Sequence, residues 1–399
     1  MRAAVVIGSG YGDEGKGMMT DFLSQPGGVV VRFNGGGQAG HTVVTPDGKR
    51  HVFSHFGSGS LRGAATHLSQ FFICNPIIWV REFAQIEALD GSTDTSVDFR
   101  ARVTTPYDMM INQMKEEQRG GARHGSCGAG INETMARHKA IPLTYGDIVR
   151  ASPIETLERI QAEWVPRRLH DLGITPSREW LVRLTSPAVR EAFLRDCHSF
   201  ATLTFGLCDW EARGGAGMVL EGAQGLLLDQ DHRFFPHVTH SSTGLTNALA
   251  FAKEAGITDL DVVYVTRAYA TRHGAGPMPE EDPAMSFPDD TNQPNEWQGK
   301  LRFGPLNLDL IAEAIRKDQA LALAEADRIR VSSSIALTHI DQMPALMDVI
   351  MGGVRRRGDL SHMVKLIEGT TGMLVQHAVR GPTRNDVFVR ETTPPVCAL

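Results

Sequence analysis

The chain has 399 residues, of which 42% are apolar and 22% charged, and its net charge is −6. This composition belongs to a globular protein with a large buried core, and the acidic excess argues against a general nucleic-acid binder, whose footprint is basic. Five cysteines without zinc spacing or an even disulfide count fit a reducing cytoplasm, no apolar run reaches the length of a membrane span, and the N-terminus enters a strand at once without a signal-peptide pattern.

Short apolar strands alternating with longer helical patterns predict an α/β fold, with a large, mostly parallel central sheet and flanking helices. The first strand is Ala3–Ile7. It runs into Gly8-Ser-Gly-Tyr-Gly-Asp-Glu-Gly-Lys-Gly17, and Met18–Leu23 opens an amphipathic helix. A glycine-rich strand-to-helix turn of this kind offers backbone N–H groups to a phosphate. Gly10, Gly15 and Lys16 keep P-loop spacing, but Gly17 stands where a magnesium-binding Ser or Thr belongs. Asp13 is the obvious substitute ligand. The same residue breaks a dinucleotide fingerprint, which needs glycine there.

Strand Val29–Phe33 leads into a second turn, Asn34-Gly-Gly-Gly-Gln-Ala-Gly-His-Thr42. Its His41 has a pKa suited to proton donation or charge stabilisation near neutral pH. Helical periodicity covers Pro153–Trp164 and Leu308–Leu321. Further strands are expected at Met218–Glu221, Val262–Thr266 and Ile335–Ile340. The turns Gly8–Gly17, Asn34–Thr42 and Glu221-Gly-Ala-Gln-Gly225 all follow strands. Ligands in open α/β sheets bind beyond strand carboxyl ends, so the three are expected to share one crevice. Residues 120–130 and 282–300 look like long functional loops within one domain spanning 1–399.

Taken together, these motifs resemble the adenylosuccinate synthetase family. The resemblance rests on Gly12-Asp-Glu-Gly-Lys-Gly17, Gly35–Thr42, Glu221–Gly225 with Asp229-x-Asp231-His232, Pro236-His-Val-Thr239, Ala268–Pro277, Thr338-His-Ile-Asp341 and Gly381-Pro382. It implies a ligase in which a 6-oxopurine nucleotide is phosphorylated on O6 by ATP or GTP, after which the amine of L-aspartate displaces the phosphate. In that scheme Asp13 takes the N1 proton and, with the Gly40 carbonyl, touches Mg²⁺, while His41 stabilises charge at O6. Lys16 holds the triphosphate with Gly12, Glu14, Gly15, Gly17, Gly40, His41 and Thr42, and Asp341 and Gly381 serve its base. Asp13, Gln38, Ser126, Cys127, Gln224 and Thr239 serve the purine monophosphate. Arg137 resembles the arginine that reaches the neighbouring subunit's monophosphate, implying a homodimer. Lys300 and Arg302 serve aspartate. The implied partners are small molecules in the cytoplasm, without nucleic acid or membrane. A non-catalytic nucleotide-binding regulator is the reading from another class; a mere binder has no use for Asp13 and His41 together.

Departures from the family bear on the substrate. Trp297-Gln298 replaces a threonine pair, and Lys300 falls where a ribose-contacting arginine belongs. Lysine lacks arginine's rigid donor fork, and a site without a hydroxyl partner does not reject the deoxy analogue. The lysine expected before Asp341 is missing, and Val379 replaces a serine, which opens the triphosphate site to ATP as well as GTP. Gln38 stands for asparagine, and Ser126-Cys127 for a threonine pair. These changes resemble the phage-type branch that uses dGMP to make 2-amino-deoxyadenylosuccinate for 2-aminoadenine DNA. Some members of that branch replace the loop aspartate, whereas this chain keeps Asp13. Ordinary adenylosuccinate synthetase, using IMP and GTP, is the alternative.

Overall fold

The computed structural model describes residues 1–120, 128–206, 215–289, 300–324 and 328–390. In chain order its strands begin with β1 (Arg2–Gly8), β2 (Val29–Arg32), β3 (His41–Val44), β4 (Arg50–Phe53), β5 (Ala65–Leu68), β6 (Ile73–Cys74), β7 (Thr95–Val97) and β8 (Arg102–Val103). They continue with β9 (Met218–Gly225), β10 (Asp259–Arg267), β11 (Tyr269–Arg272), β12 (Arg302–Asn307), β13 (Arg330–Thr338), β14 (Met347–Met351), β15 (Val354–Gly358), β16 (Val375–Val379) and β17 (Val387–Val389). The helices that matter most to the site are α1 (Lys16–Leu23), α2 (Pro76–Ala88), α3 (Pro106–Arg119) and α4 (Ile131–His138). Among the described residues, no helix is long and apolar enough to cross a membrane.

Nine strands form the main sheet in the order β17-β16-β13-β10-β1-β9-β2-β5-β7. All neighbours run parallel except β16 and β17. A parallel sheet is covered on both faces, which is why β1 and β2 read as unbroken apolar runs. On β1, Ala3, Val5 and Ile7 join one buried cluster with Leu220, Val262 and Leu337, while Val6 turns to the opposite face with Met19 and Val263. A separate apolar cluster gathers Trp79, Tyr107, Tyr145, Trp164 and Phe200. Smaller sheets flank this body, including the β3–β4 hairpin and the four-stranded β11-β12-β14-β15 sheet.

The expected strands are present, with shifted ends. β13 stops at Thr338 because His339 adopts φ 57, a left-handed conformation that ends a strand. The helix expected over Pro153–Trp164 is interrupted: Ile154–Arg159 is helical, and Ile160–Trp164 forms a widened π turn. That turn precedes Pro166, which has no N–H to give the carbonyl four residues back.

Candidate active site

The first turn is built around a buried carboxylate. Glu14 Oε1 accepts the N–H groups of Gly10 at 3.0 Å and Gly12 at 2.8 Å, and Lys16 Nζ lies 2.6 Å from Oε2. Gly8 and Gly225 make room for it, since a Cβ at either would sit 2.3 Å or 2.5 Å from a Glu14 oxygen. The Glu14 side chain is therefore an internal brace of the loop, turned away from the cavity, rather than a triphosphate contact. Gly17 also has a steric cause. A Cβ there would lie 3.0 Å from His41 Cβ and 3.1 Å from the Thr42 carbonyl, so a Ser or Thr at the start of α1 would press on β3. Asp13 holds φ 62, and its carboxylate is 3.8 Å from His273 Nε2.

His41 opens β3, with Nδ1 2.6 Å from Glu221 Oε1 on β9. The Ser58 N–H donates to Glu221 Oε2 at 3.0 Å, its hydroxyl donates to Oε1, and Arg32 Nε lies 3.9 Å away. Burial alone would raise the Glu221 carboxyl, but Arg32, His41 and Ser58 outweigh it and hold the group below its ordinary range. Burial lowers the His41 pKa against the pull of Glu221. The ring is thus held as an Nδ1–H donor to Glu221, with Nε2 left for a ligand. Behind this turn His55 fills the space a Gly37 side chain would need, with its Cε1 2.3 Å from the site of a Cβ. His55 is fixed in turn by Glu82 of α2, which accepts the Ser54 and His55 N–H groups, each at 2.7 Å.

These parts surround a cavity of about 830 Å³ at the carboxyl ends of β1, β9, β10 and β13. Gly12, Asp13, Gly15, Lys16 and Gly17 line it, as do Gln38, Gly40, His41, Thr42, Gln224, Thr239, Asp341 and Gly381. Three of the four non-glycine residues with left-handed φ among the described residues, Asp13, Gln224 and His339, line it too. Such conformations cost roughly 1–3 kcal/mol each and collect where function demands a fixed geometry. His339 occupies the position where lysine was expected. Its Cε1 lies 3.7 Å from the site of a Cβ on Gly15, and burial, then Arg267, brings its pKa down to about 3.

Other expected site residues fall elsewhere. Arg137 is fully buried, with Nε on Asp108 at 2.9 Å, Nη1 on the Ile141 carbonyl at 2.9 Å and Nη2 on the Val103 carbonyl at 2.6 Å. It is a structural arginine committed within its own chain and carries no argument for a site shared between subunits. Arg302 spends its guanidinium on Glu281 and on the carbonyls of Gly274 and Gly276. Neither Arg302 nor the exposed Lys300 lines the cavity. Ser126 and Cys127 lie outside the described residues, as does Trp297-Gln298. Sequence reasoning missed Glu221 as the partner of His41, although it sits three residues before Gln224 in the same motif. It also missed Lys115, Arg119, His240, Arg267 and His273, all of which line the cavity. His273 lies within the Ala268–Pro277 motif, but no glycine motif or spacing marks the other four.

An all-protein metal cage is not formed: among the described residues no three His, Cys, Asp or Glu side chains converge as a metal site. Magnesium needs no such cage, since it usually takes one or two carboxylates and completes its shell with phosphates and water. The Asp13 carboxylate and the exposed Gly40, both on the cavity wall, fit that demand.

A sequence model of the adenylosuccinate synthetase family matches residues 5–351. The adenylosuccinate synthetase of Microcystis aeruginosa is 34% identical over 288 residues, covering 70% of this chain and 63% of that protein. That of Thermoplasma volcanium is 29% identical over 353 residues, covering 85% and 78%. The match therefore spans a little under two thirds of the Microcystis protein's length. Among solved structures, fully ligated adenylosuccinate synthetase from Plasmodium falciparum aligns with a TM-score of 0.73 at 18% identity, covering 98% of this chain and 100% of that one. The succinoaminodeoxyadenylate synthetase of cyanophage S-2L, bound to dGMP and to dATP as an energy donor, aligns with a TM-score of 0.62 at 16% identity, covering 98% and 96%. At such identities both structures speak to the fold.

Proposed function

The chain belongs to the adenylosuccinate synthetase family of carbon–nitrogen ligases, and we propose that it joins L-aspartate to C6 of a purine monophosphate, with dGMP as that nucleotide. The observation that carries the reaction is the convergence of Asp13, Lys16 and His41 on one cavity wall. Asp13 takes the N1 proton of the base, which makes O6 a nucleophile. O6 attacks the terminal phosphorus of the triphosphate, and the diphosphate leaves. The aspartate amine then adds at C6 and expels inorganic phosphate. Phosphoryl transfer of this kind is mainly positioning and charge neutralisation.

Lys16 carries three donors, and its contact with Glu14 leaves two for phosphate oxygens. Glu221 favours the protonated form of His41, and an anionic phosphoryl oxygen arriving at Nε2 adds a second partner for the imidazolium. The Asp13 carboxylate and the Gly40 carbonyl would hold a magnesium ion, which would supply charge neutralisation on the phosphates.

The deoxy preference is supported by Arg302, whose two terminal nitrogens donate to Glu281 and to the carbonyls of Gly274 and Gly276, leaving only Nε without a partner. With Lys300 exposed, this segment offers no guanidinium fork to a ribose 2′-hydroxyl among the described residues. For the 5′-phosphate, Lys115 and Arg119 line the same cavity as Gln38 and Thr239, each paired with a carboxylate, Lys115 with Glu133 and Arg119 with Glu116, that it would share with the phosphate. The triphosphate is ATP or GTP: Asp341 offers acceptors to a guanine, and the half-buried, neutral His339 adds no cation beside it.

The curated relatives, named adenylosuccinate synthetase, favour a second reading, in which the substrate is IMP and the triphosphate GTP. Steady-state rates of aspartate-dependent phosphate release, with dGMP, GMP and IMP each paired with ATP or GTP, separate the two. The highest kcat/KM is expected with dGMP. Turnover confined to IMP would sink the dGMP reading while leaving the ligase reading intact.

A further inference from the structure

We propose that Arg267 is a positioning residue for Asp13, holding the loop aspartate in its left-handed conformation through the main chain. The proposal rests on the ligase reading for its kinetic consequence but not for its geometry. Arg267 is the last residue of β10, beside the carboxyl end of β1, and its side chain is buried. Its Nε donates to the Asp13 carbonyl. The other two arms are anchored: Nη1 donates to the Tyr269 hydroxyl at 2.9 Å and Nη2 to Asp289 Oδ2 at 3.0 Å. A guanidinium fixed at three points is a rigid fork.

The next carbonyl, that of Glu14, accepts the Thr338 hydroxyl at 2.7 Å from the end of β13. Two successive loop carbonyls are therefore gripped from two neighbouring strands. An aspartate at φ 62 has an unfavourable backbone, and it persists only where its surroundings over-determine it. Arg267 supplies the larger part of that constraint at Asp13, because it is the side chain that bonds the Asp13 peptide directly. Loosening the peptide would swing the carboxylate away from the proton it removes, and about an ångström of misplacement is enough to cost catalysis on the order of 10²-fold.

The test is a double-mutant cycle under single-turnover conditions. Arg267→Met should lower the rate of phosphoryl transfer by about 10- to 100-fold with little change in triphosphate affinity. In an Asp13→Asn background, the same substitution should cost less than about twofold, because the residue it positions no longer acts. Arg267→Lys keeps the charge without the fork and should stay about tenfold down. Additive losses in the cycle, or full activity of Arg267→Lys, would overturn the proposal. Hydrogen exchange of the unliganded protein gives a readout free of turnover: Arg267→Met should speed exchange at residues 10–17 while β10 and β13 stay protected. Unchanged exchange there would refute the positioning role even if the wild type proves to have no ligase activity. Absence of aspartate-dependent turnover in the wild type would instead refute the proposed function.

Discussion

Glu14 and Asp13 are neighbours in sequence and opposites in use. One carboxylate is buried inside the loop with two backbone N–H groups and Lys16, and the other faces the cavity in a left-handed turn. The motif Gly12–Gly17 marks both residues equally, so no feature of the sequence says which one points inward. Gly17 shows the same limit. Its lack of a hydroxyl reads as a change in metal chemistry, whereas the structure shows His41 and Thr42 packed so close that a side chain there would crowd them. Glu221 was legible as part of a motif but not as the partner of His41, because their sequence separation of 180 closes only in the folded sheet. Replacing it tests that pairing. Glu221→Gln should lower kcat on the order of 10²-fold with triphosphate KM little changed, since the imidazolium loses its counter-charge. Thermal melts should fall as well, because Arg32 is left without its buried carboxylate. An unchanged kcat would show that the His41 ring needs no such partner.

Elements hold these residues in place, and α2 does so through a single side chain. Glu82 bonds the two N–H groups that follow β4 and faces His51 and His55. Burial pushes its carboxyl up, but the hydrogen bonds from His51, His55 and the backbone prevail and hold it at about 2, against an ordinary value of 4.5. A folded pKa below the unfolded one means stability that is present above about pH 4.5 and lost as pH falls toward 2. Glu82→Gln should therefore cost about 3 kcal/mol near neutral pH. The difference from wild type should shrink below pH 4.5 in urea titrations; a gap that stays constant down to pH 3 would mean the carboxylate charge contributes nothing. Strands as long and apolar as β1 and β10 were readable from their runs of Val and Ile. β5 and β7, with four and three residues, were not, because such short segments take their identity from neighbours in the sheet. The break at Ile160–Trp164 follows from Pro166, a signal present in the sequence but overridden there by the helical period.

At the scale of the whole molecule, the order β13-β10-β1-β9-β2 decides what meets what. The three glycine-rich turns were expected to share a crevice from the strand-end rule alone, and residues from each line the cavity. Arg267, His273, Thr338, His339 and Val379 join them only because β10, β13 and β16 lie on the same side of β1, which no local pattern announces. The resulting crevice brings the Asp13 carboxylate, the His41 imidazole and the Lys16 ammonium onto one cavity, as the proposed transfer of phosphate to a purine O6 requires. The central claim is that phosphate moves to O6 before aspartate reacts. It is tested by positional isotope exchange in ATP labelled with ¹⁸O in the β–γ bridge, with dGMP present and aspartate absent. Reversible transfer frees the β-phosphate to rotate, so label should scramble into non-bridging positions in the wild type, only when dGMP is present, and not in Asp13→Asn. No scrambling in the wild type, or equal scrambling in Asp13→Asn, would contradict a 6-phosphoryl intermediate made with Asp13 as its base.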